Sequence, residues 1–401
     1  MSAYTIIDVD THVTEAPDLW TSRVPERWKD KVPYVDFDSK GRQNWYLGDK
    51  RMGIVGLTAT AGRGDMKKYP NTYEDMHPAA YDAKARLEYM DQMGIWAMVL
   101  YPNVAGFGNQ AFLKLGDPEL MLASVEAYND WQTEWAAADS RRLLPMVSTP
   151  FWDVKAAVKE VERCAEMGHR GILFTGEPQA FGLPFMGDKH WDPLWQTAVD
   201  VDLPVSFHIG SGNMEAGLGR EKVAAYGRMA TFASGSVDIF MQNGNQLTDL
   251  LVSGILPRFP DIKFVSVESG VGWIPFMLEA LDYQYQGNRV ADDRPEFGDM
   301  LPSEYFAKNI YACYWFEQVA PRRLIDKVGA DNIMFETDFP HPTSLYGADV
   351  HERIETGLGD TDPVIRKKIL WDNGEKLYKV EPPNATDEAR ATTAQLAGVP
   401  A

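Results

Sequence analysis

The sequence predicts an α/β protein built as one distorted (β/α)8 TIM barrel, and two observations carry this prediction. Short apolar runs typical of buried parallel strands recur eight times, and helical stretches separate most of them. Polar residues of the metal-ligand type directly follow several of these runs, as expected at the mouth where barrel active sites lie. A doubly wound open sheet is the alternative, but it gives few reasons for such residues to follow the first, fifth, sixth and eighth strands.

The predicted elements alternate in order along the chain. The first strand, Tyr4 to Ile7, leads into the motif Asp8-Val9-Asp10-Thr11-His12. The other seven strands are predicted over 95–101, 143–147, 170–174, 203–207, 262–267, 309–313 and 332–337. Helical periodicity, with capping and stop residues, predicts helices over 82–94, 117–135, 153–167, 191–200, 274–285 and 321–328.

Length and composition fit a single metal-dependent barrel domain over residues 1–380. The chain has 401 residues and is 45% hydrophobic, which is ample for a large core. Insertions are predicted after the first strand, at about 13–81, and after the fifth, at about 211–244. An amphipathic helix over 362–378 is expected to pack outside the barrel, and 381–401 to form a flexible tail or an inter-subunit arm.

Charge and cysteine content restrict the partners and the compartment. A formal net charge of −19 disfavours nucleic acid and anionic membrane surfaces as partners. The first residues lack a basic region followed by an apolar run, so no signal peptide is expected. Cys164 and Cys313 are the only two cysteines and cannot make a disulfide framework. We therefore expect a cytoplasmic protein that acts on a small molecule.

Residues at the predicted strand ends indicate a metal site. Asp10 and His12, two positions apart on a strand, can project side by side. The fifth, sixth and eighth strands are followed by His208, Glu268 and Asp338. Three buried carboxylates are costly without a compensating charge, and a divalent cation supplies one. The joint pattern therefore predicts a metal ion at the barrel mouth, although an isolated Asp-x-His motif would more simply be a turn cap beside a surface histidine.

These stretches resemble the amidohydrolase superfamily, and within it the amidohydrolase-related branch (amidohydrolase family 2) that resembles aminocarboxymuconate-semialdehyde decarboxylase. The resemblance rests on 7–12, 188–195 with 204–208, 258–264, 332–340 and 369–378, which together span the barrel. It implies a metal ion at the mouth, held by Asp10, His12, His208 and Asp338. In such enzymes the last of these residues also orients or deprotonates a metal-bound water.

Two departures from this family pattern affect the mechanism. The first strand carries Asp10-x-His12 where many members have His-x-His, and Glu268 stands where many have a histidine. The resulting ligand set is rich in oxygen, which favours manganese or iron over zinc. The fourth strand does not end in a bridging lysine, so one ion is the simpler prediction. Glu15, Glu177 or Glu268 could support a second.

Four further residues near the strand ends have two interpretations each. His341, three residues after Asp338, is a candidate to contact substrate or to move protons, or it packs beside Pro340. Trp273, Tyr314 and Trp315 are candidates to wall an apolar substrate pocket, or they pack beneath loops.

The first functional prediction is a metal-dependent hydrolase acting on a small organic, aromatic or carboxylated substrate through a metal-activated water. Asp338, Glu268 and His341 are the predicted catalytic residues, with Asp338 taking the proton. A non-oxidative decarboxylase and an iron-dependent oxygenase on the same barrel are the alternatives. The exposed apolar surface expected of the helix after Asp362, the aromatic-rich first insertion and the tail predicts a homodimer, as the resemblance also implies.

Overall fold

A computed structural model of the chain describes residues 3–62, 68–212 and 219–396. Eight strands form one parallel sheet in the order β1-β5-β6-β7-β8-β9-β10-β11, and β2-β3-β4 form a small antiparallel sheet. The strands are β1 (Ile6–His12), β2 (Pro33–Phe37), β3 (Gln43–Leu47), β4 (Lys50–Ile54), β5 (Ile95–Tyr101), β6 (Leu143–Ser148), β7 (Gly171–Leu173), β8 (Val205–His208), β9 (Phe264–Val267), β10 (Ile310–Tyr314) and β11 (Ile333–Phe335). The predicted (β/α)8 barrel is confirmed.

Helices connect the barrel strands. They are α1 (Ala83–Met93), α2 (Pro118–Ala136), α3 (Val154–Glu166), α4 (Asp192–Asp200), α5 (Arg220–Tyr226), α6 (Arg228–Val252), α7 (Ile255–Arg258), α8 (Ile274–Gly287), α9 (Val290–Asp293), α10 (Pro302–Asn309), α11 (Val319–Arg323), α12 (Ile325–Val328), α13 (Ala348–Leu358), α14 (Pro363–Lys367), α15 (Asn373–Tyr378) and α16 (Ala385–Leu396). The helix predicted over 321–328 is divided into α11 and α12. None of the helices in the described ranges has the length and apolarity needed to cross a membrane.

The first strand is longer than predicted and includes the motif itself. β1 pairs with β5 from Ile6 to His12, with a register shift between Asp8 and Thr11. A bulge of this kind changes the simple alternation of side chains. Val9 therefore packs in the barrel interior, while Asp10 and His12 still reach the mouth.

The barrel closes between β1 and the residues that follow β11. The backbone N–H of His12 donates to the carbonyl of Phe339 (2.7 Å), and that of Asp338 donates to the carbonyl of Asp10 (3.0 Å). The buried carboxylate of Asp8 accepts hydrogen bonds from the backbone N–H (3.0 Å) and hydroxyl (2.6 Å) of Thr337. These contacts place the two ligand-bearing strand ends, those of β1 and β11, beside each other.

The C-terminal helices cover the same seam. A π-helical turn, Lys368–Asp372, joins α14 to α15 and contacts both β1 and β11. The Asn373 amide donates to the carbonyls of Ala330 (2.8 Å) and Ile333 (2.7 Å). The fully buried ring of Tyr378 packs in the barrel interior. The helix predicted to lie outside the barrel thus also contributes to its core.

Both predicted insertions have secondary structure of their own. The first contains the β2-β3-β4 sheet, in which β3 and β4 form an antiparallel hairpin. The second consists mainly of α5 and the long helix α6, and its residues 213–218 lie outside the described ranges. Residues 385–396 of the tail form α16, which packs on α1 through an ion pair between Arg390 and Asp91 (2.7 Å). An inter-subunit role of the tail stays a prediction.

Candidate metal centre

Side chains from the ends of four barrel strands converge at the mouth. Asp10 and His12 come from β1, His208 ends β8, and Glu268 and Asp338 follow β9 and β11. Ligand atoms of Asp10, His12, His208 and Glu268 lie within 4.8 Å of one another, as do those of His12, Glu268, Asp338 and His341. The structure therefore brings together all five residues predicted as metal ligands and adds His341.

The two imidazoles present lone pairs to the same point. The Nδ1 atom of His12 lies 3.0 Å from the carbonyl oxygen of Pro102, and that of His208 lies 2.9 Å from the carbonyl oxygen of Ile209. A carbonyl only accepts hydrogen bonds, so each ring carries its hydrogen on Nδ1. Their Nε2 atoms then face each other as acceptors, 3.2 Å apart. Burial lowers the pKa of His12 well below its usual range, so a proton is a poor bridge between them.

The carboxylates add negative charge at the same place. Oδ1 of Asp10 lies 3.6 Å from Nε2 of His12 and 3.5 Å from Nε2 of His208. Oε2 of Glu268 lies 3.4 Å from Nε2 of His208, and Oδ1 of Asp338 lies 3.5 Å from Nε2 of His12. Both carboxylate oxygens of Asp10, Oε2 of Glu268 and Oδ1 of Asp338 are buried without a hydrogen-bond partner.

This donor set fits a divalent cation. Burial, followed by repulsion from neighbouring carboxylates, raises the pKa of Glu268 and of Asp338 well above the usual range. A bound cation would relieve that repulsion and would satisfy both the orphaned oxygens and the facing imidazole nitrogens. Two nitrogen and three oxygen ligands suit a first-row divalent metal ion. The residues that would hold it are Asp10, His12, His208, Glu268 and Asp338.

The backbone is strained where it aims two of these carboxylates. Glu268 and Asp338 have φ values of +61° and +58°, in the left-handed region that residues other than glycine rarely occupy. Such strain persists where the surrounding structure demands it, and it is frequent at functional sites. The Glu268 backbone N–H donates to Oε2 of Glu336 (3.1 Å), which helps to hold this conformation.

Glu336 is a buried carboxylate that the sequence analysis did not single out. Its Oε1 has no hydrogen-bond partner, and burial, with repulsion from Asp10 and Glu268, raises its pKa well above the usual range. A signal for it was present in the sequence. Met334 packs in the barrel interior, and strand alternation places Glu336 on the same side.

His341 contacts both the metal cluster and the cavity wall. Its ring stacks on that of His12, with 3.7 Å between centroids, and its Nε2 lies 2.6 Å from Oδ1 of Asn103. The Asn103 amide nitrogen donates to the carbonyl of Val13 (3.0 Å), which fixes the amide orientation. His341 therefore carries its hydrogen on Nε2, and its Nδ1 lone pair lies 2.7 Å from Oδ1 of Asp338, without hydrogen-bond alignment. Two acceptor atoms so close together require a proton or a cation beside them.

An apolar cavity of about 340 Å³ opens onto the cluster. Glu268, Asp338 and His341 form its floor, and Trp315 is part of its wall. The Phe107 ring also lines it, 4.2 Å from the ring of His208 between centroids. The arrangement can hold a small, partly apolar molecule against the ligand cluster.

Of the three aromatic residues predicted to contact the substrate, the structure places one at the cavity and two elsewhere. Trp315 lines the cavity, but Tyr314 and Trp273 do not. The buried Tyr314 ring points away from the barrel interior and packs on Phe335 (5.5 Å between centroids), because neighbouring residues on a strand face opposite ways. Trp273 packs over Gly244, and its indole N–H donates to the carbonyl of Ser269 (2.9 Å).

Two of the residues predicted to support a second ion, Glu15 and Glu177, lie outside the cluster of candidate metal ligands. Glu15 is buried and accepts hydrogen bonds from the backbone N–H groups of Asn103 (2.8 Å) and Val104 (2.9 Å). Glu177 accepts a hydrogen bond from the side chain of Gln242 (2.6 Å). Neither belongs to the groups of clustered ligand atoms found in the described residues. A second ion stays a prediction.

Sequence comparisons show similarity to known decarboxylases. The chain is 26% identical over 303 residues to a gamma-resorcylate decarboxylase of Polaromonas sp. (strain JS666), covering 74% of this chain and 86% of the relative. It is 18% identical to a 2-amino-3-carboxymuconate-6-semialdehyde decarboxylase of Dictyostelium discoideum, covering 77% of this chain and 80% of the relative.

Solved structures share the fold. An amidohydrolase, map2389c, from Mycobacterium avium subsp. paratuberculosis K-10 superposes with a TM-score of 0.72 at 23% identity, covering 94% of this chain and 99% of that one. A dihydroxybenzoic acid decarboxylase of Polaromonas sp. JS666 was solved with bound manganese and the inhibitor 2-nitroresorcinol. It superposes with a TM-score of 0.59 at 19% identity, covering 95% of this chain and 98% of that one. The amidohydrolase family model matches residues 7–380. The chain belongs to the amidohydrolase family, as its sequence resemblance predicted.

Proposed function

We propose that this protein is a metal-dependent, non-oxidative decarboxylase of a hydroxylated aromatic carboxylic acid. The observation that carries the proposal is the ligand cluster on the floor of an apolar cavity, with the Asp338–His341 contact at its edge. The decarboxylases among the relatives support the same reaction class. They favour it over the hydrolase predicted first, and the comparisons give no support to an oxygenase.

The reaction needs one proton and neither an oxidant nor water as a reactant. The bond between the ring carbon and the carboxylate breaks, carbon dioxide leaves, and a new C–H bond forms with the added proton. Asp10, His12, His208, Glu268 and Asp338 would hold a metal ion, which when bound would supply positive charge for an acidic substrate at the barrel mouth. The protein must then orient the ring and deliver the proton.

Asp338 and His341 are placed to hold that proton. His341 already carries a hydrogen on Nε2, so a proton between its Nδ1 and Oδ1 of Asp338 is an additional one. Burial lowers the pKa of His341 to about 3 and raises that of Asp338 well above its usual range. A proton shared by the Asp338–His341 pair could be passed to the substrate, whereas the predicted hydrolase requires Asp338 as a base.

The cavity walls would orient an aromatic ring and exclude water. Phe107 and Trp315 are part of the lining, and Trp315 is almost fully buried. For the ion we propose manganese, because carboxylate-rich ligand sets suit it and a structurally similar decarboxylase was solved with manganese bound.

A substrate panel in heavy water tests the reaction class. The manganese-loaded protein is offered ortho-hydroxylated benzoic acids in one arm and aryl amides and esters in the other. We expect carbon dioxide release in the first arm only, with one deuterium in the product where the carboxylate was. His341→Gln should keep the metal ion and lower turnover roughly a hundredfold, because the proton is no longer held beside Asp338. Hydrolysis of the amides or esters without carbon dioxide release would overturn the proposal.

A further inference from the structure

We propose that the substrate is an elongated molecule whose end remote from the metal ion carries an anionic group, bound by Arg51 and Arg228. The identity of the reacting end rests on the proposed function. The anionic end is inferred from a trench that leads from the metal centre to a basic pocket, and from the side chains that line the two.

Three adjoining cavities make up this trench. The cavity at the metal centre, about 340 Å³, shares Leu57, Tyr69 and Trp315 with an apolar cavity of about 440 Å³. The apolar cavity in turn shares Leu57, Tyr69 and Arg228 with the basic pocket, which has a volume of about 600 Å³. The same side chains form walls of neighbouring cavities, so the cavities adjoin one another. A ligand that fills the first cavity therefore has room to continue into the other two.

Helix α6 lines the trench from end to end. Arg228 lies at the basic pocket, and Phe232, Ser236 and Phe240 line both the apolar cavity and the metal-centre cavity. These residues are four positions apart and therefore share one face of the helix. Twelve residues at a helical rise of 1.5 Å separate the two ends by about 18 Å. A single-ring substrate would occupy only the inner part.

The basic pocket concentrates positive charge on an acidic protein. Its wall contains Arg42, Arg51, Lys68 and Arg228, and no aspartate or glutamate from the described residues, although the whole chain carries −19. Arg42 forms an ion pair with Asp38 (2.7 Å), which satisfies part of this charge. Such a local surplus of cations attracts an anion.

Arg51 and Arg228 are the two remaining guanidinium groups that can bind that anion. The Nε of Arg51 donates to Oδ1 of Asn44 (2.7 Å), which fixes the side chain and leaves its terminal nitrogens as donors. The guanidinium of Arg228 lies 5.9 Å from the centroid of the Tyr69 ring. Within the described ranges neither arginine has a carboxylate partner. Arginine is well suited to carboxylate and phosphate ligands because its donors bind two oxygens at once.

The middle of the trench is apolar, so the part of the ligand between its two ends should be apolar as well. Met229, Phe232 and Phe316 line this region, and their side chains are 49%, 45% and 43% exposed. Arg228 is the charged residue of this cavity wall, and it stands at the basic end. An alkyl or aryl spacer would cover these side chains.

Binding of end-labelled probes tests the proposal without turnover. Calorimetry on the manganese-loaded full chain compares resorcinols with alkyl chains of increasing length, up to about 18 Å, that end in methyl, trimethylammonium, carboxylate or phosphate. A parallel series of probes carries a plain phenyl ring in place of the resorcinol, so that binding of these probes does not depend on contact with the metal ion. We expect carboxylate- or phosphate-ended probes of sufficient length to bind about tenfold more tightly than methyl-ended ones. The better of the two acidic groups identifies the anion.

Arginine variants locate the effect. Arg51→Gln and Arg228→Gln should each weaken binding of the anionic probes about threefold to tenfold and leave the methyl-ended probes unchanged. Arg289→Gln is the matched control, because the Arg289 side chain is 78% exposed and does not line any of the three cavities. Added salt should reduce the advantage of the anionic probes.

The outcomes separate the two proposals. If anionic and methyl-ended probes bind the wild-type protein equally well in both series, the basic pocket does not bind the substrate, whatever reaction the protein catalyses. Equal losses for both probe types in the arginine variants would also overturn it. If the phenyl series shows the anionic preference but no carbon dioxide is released from the benzoic acids or from an ortho-hydroxylated benzoic acid that carries the best anionic chain, the trench is supported and the decarboxylase proposal fails.

Discussion

Glu268 illustrates how a single buried carboxylate can serve function at a cost in stability. Its Oε2 has no hydrogen-bond partner, its backbone is in the left-handed region, and its neighbours include two other carboxylates. Burial and repulsion raise its pKa well above the usual range. A residue placed in this way is explained by a cation that the folded site is built to hold.

The stability of the metal-free protein should therefore fall as the pH rises above about 6.5. A carboxyl group with a raised folded-state pKa stabilises the fold while protonated, and this contribution is lost as the pH rises through that pKa. Burial lowers the pKa of His12 and His341 in the folded protein. Below about pH 6.5 the same histidines bind protons in the unfolded chain, which favours unfolding and opposes the trend. Denaturant titrations at several pH values measure the effect, and manganese should abolish it.

Glu268→Gln should make the metal-free protein more stable, by about 2 kcal/mol near pH 8, because the amide carries no charge into the buried site. Glu119→Gln, at a side chain that is 78% exposed, is the control and should leave stability unchanged. A metal-free wild-type protein whose unfolding free energy stays constant across this pH range would contradict the explanation.

Sequence reasoning predicted the cluster of candidate ligands that the structure brings together, but not the groups that position it. Asp10, His12, His208, Glu268 and Asp338 were identified because strand ends in a barrel share one mouth. Asn103 was missed because it lies on a loop, and the loop's path depends on contacts with Val13 and Glu15 that are distant in sequence. Local patterns carry no information about such contacts.

At the scale of elements, the C-terminal helices complete the barrel. The π-helical turn contacts the two strands at the seam, β1 and β11, and Asn373 bonds to carbonyls on either side of the start of β11. Amphipathic periodicity predicted this helical region but could not show which strands it covers. The same limit applies to α11 and α12, since a break within a short helix depends on its packing.

Asn373→Ala should lower the free energy of unfolding by about 2 kcal/mol, because it leaves two buried carbonyls without their donor. Metal content should stay the same, since the residue contacts the strands away from the mouth. Chemical denaturation and metal analysis measure the two effects. Asn288→Ala, at an exposed amide directly after α8, is the matched control. Equal stability of the two variants would show that the seam does not depend on Asn373.

At the scale of the whole molecule, exposed apolar side chains concentrate on the second insertion. Tyr226, Met229, Phe232, Val237 and Met241 are between 45% and 68% exposed. An apolar surface of this kind is unusual on a monomer unless a ligand or a partner covers it. The homodimer predicted from the sequence remains a prediction.

Light scattering at micromolar protein should give twice the chain mass of 45.0 kDa. Val237→Glu places a charge on this apolar face and should shift the mass towards one chain, whereas Val319→Glu, 71% exposed on α11, should not. A wild-type mass of one chain would rule out the dimer at that concentration.

Metal content is the most direct test of the central claim, that the barrel mouth holds a divalent cation. Elemental analysis is made on wild-type protein, on His208→Ala and on the exposed control His351→Ala, each loaded with manganese and dialysed. The wild type and the control should retain about one ion per chain, and His208→Ala less than about a tenth of that, because the fully buried Nε2 ligand is lost. Equal retention by His208→Ala, or a wild type that retains no metal ion, would contradict the claim.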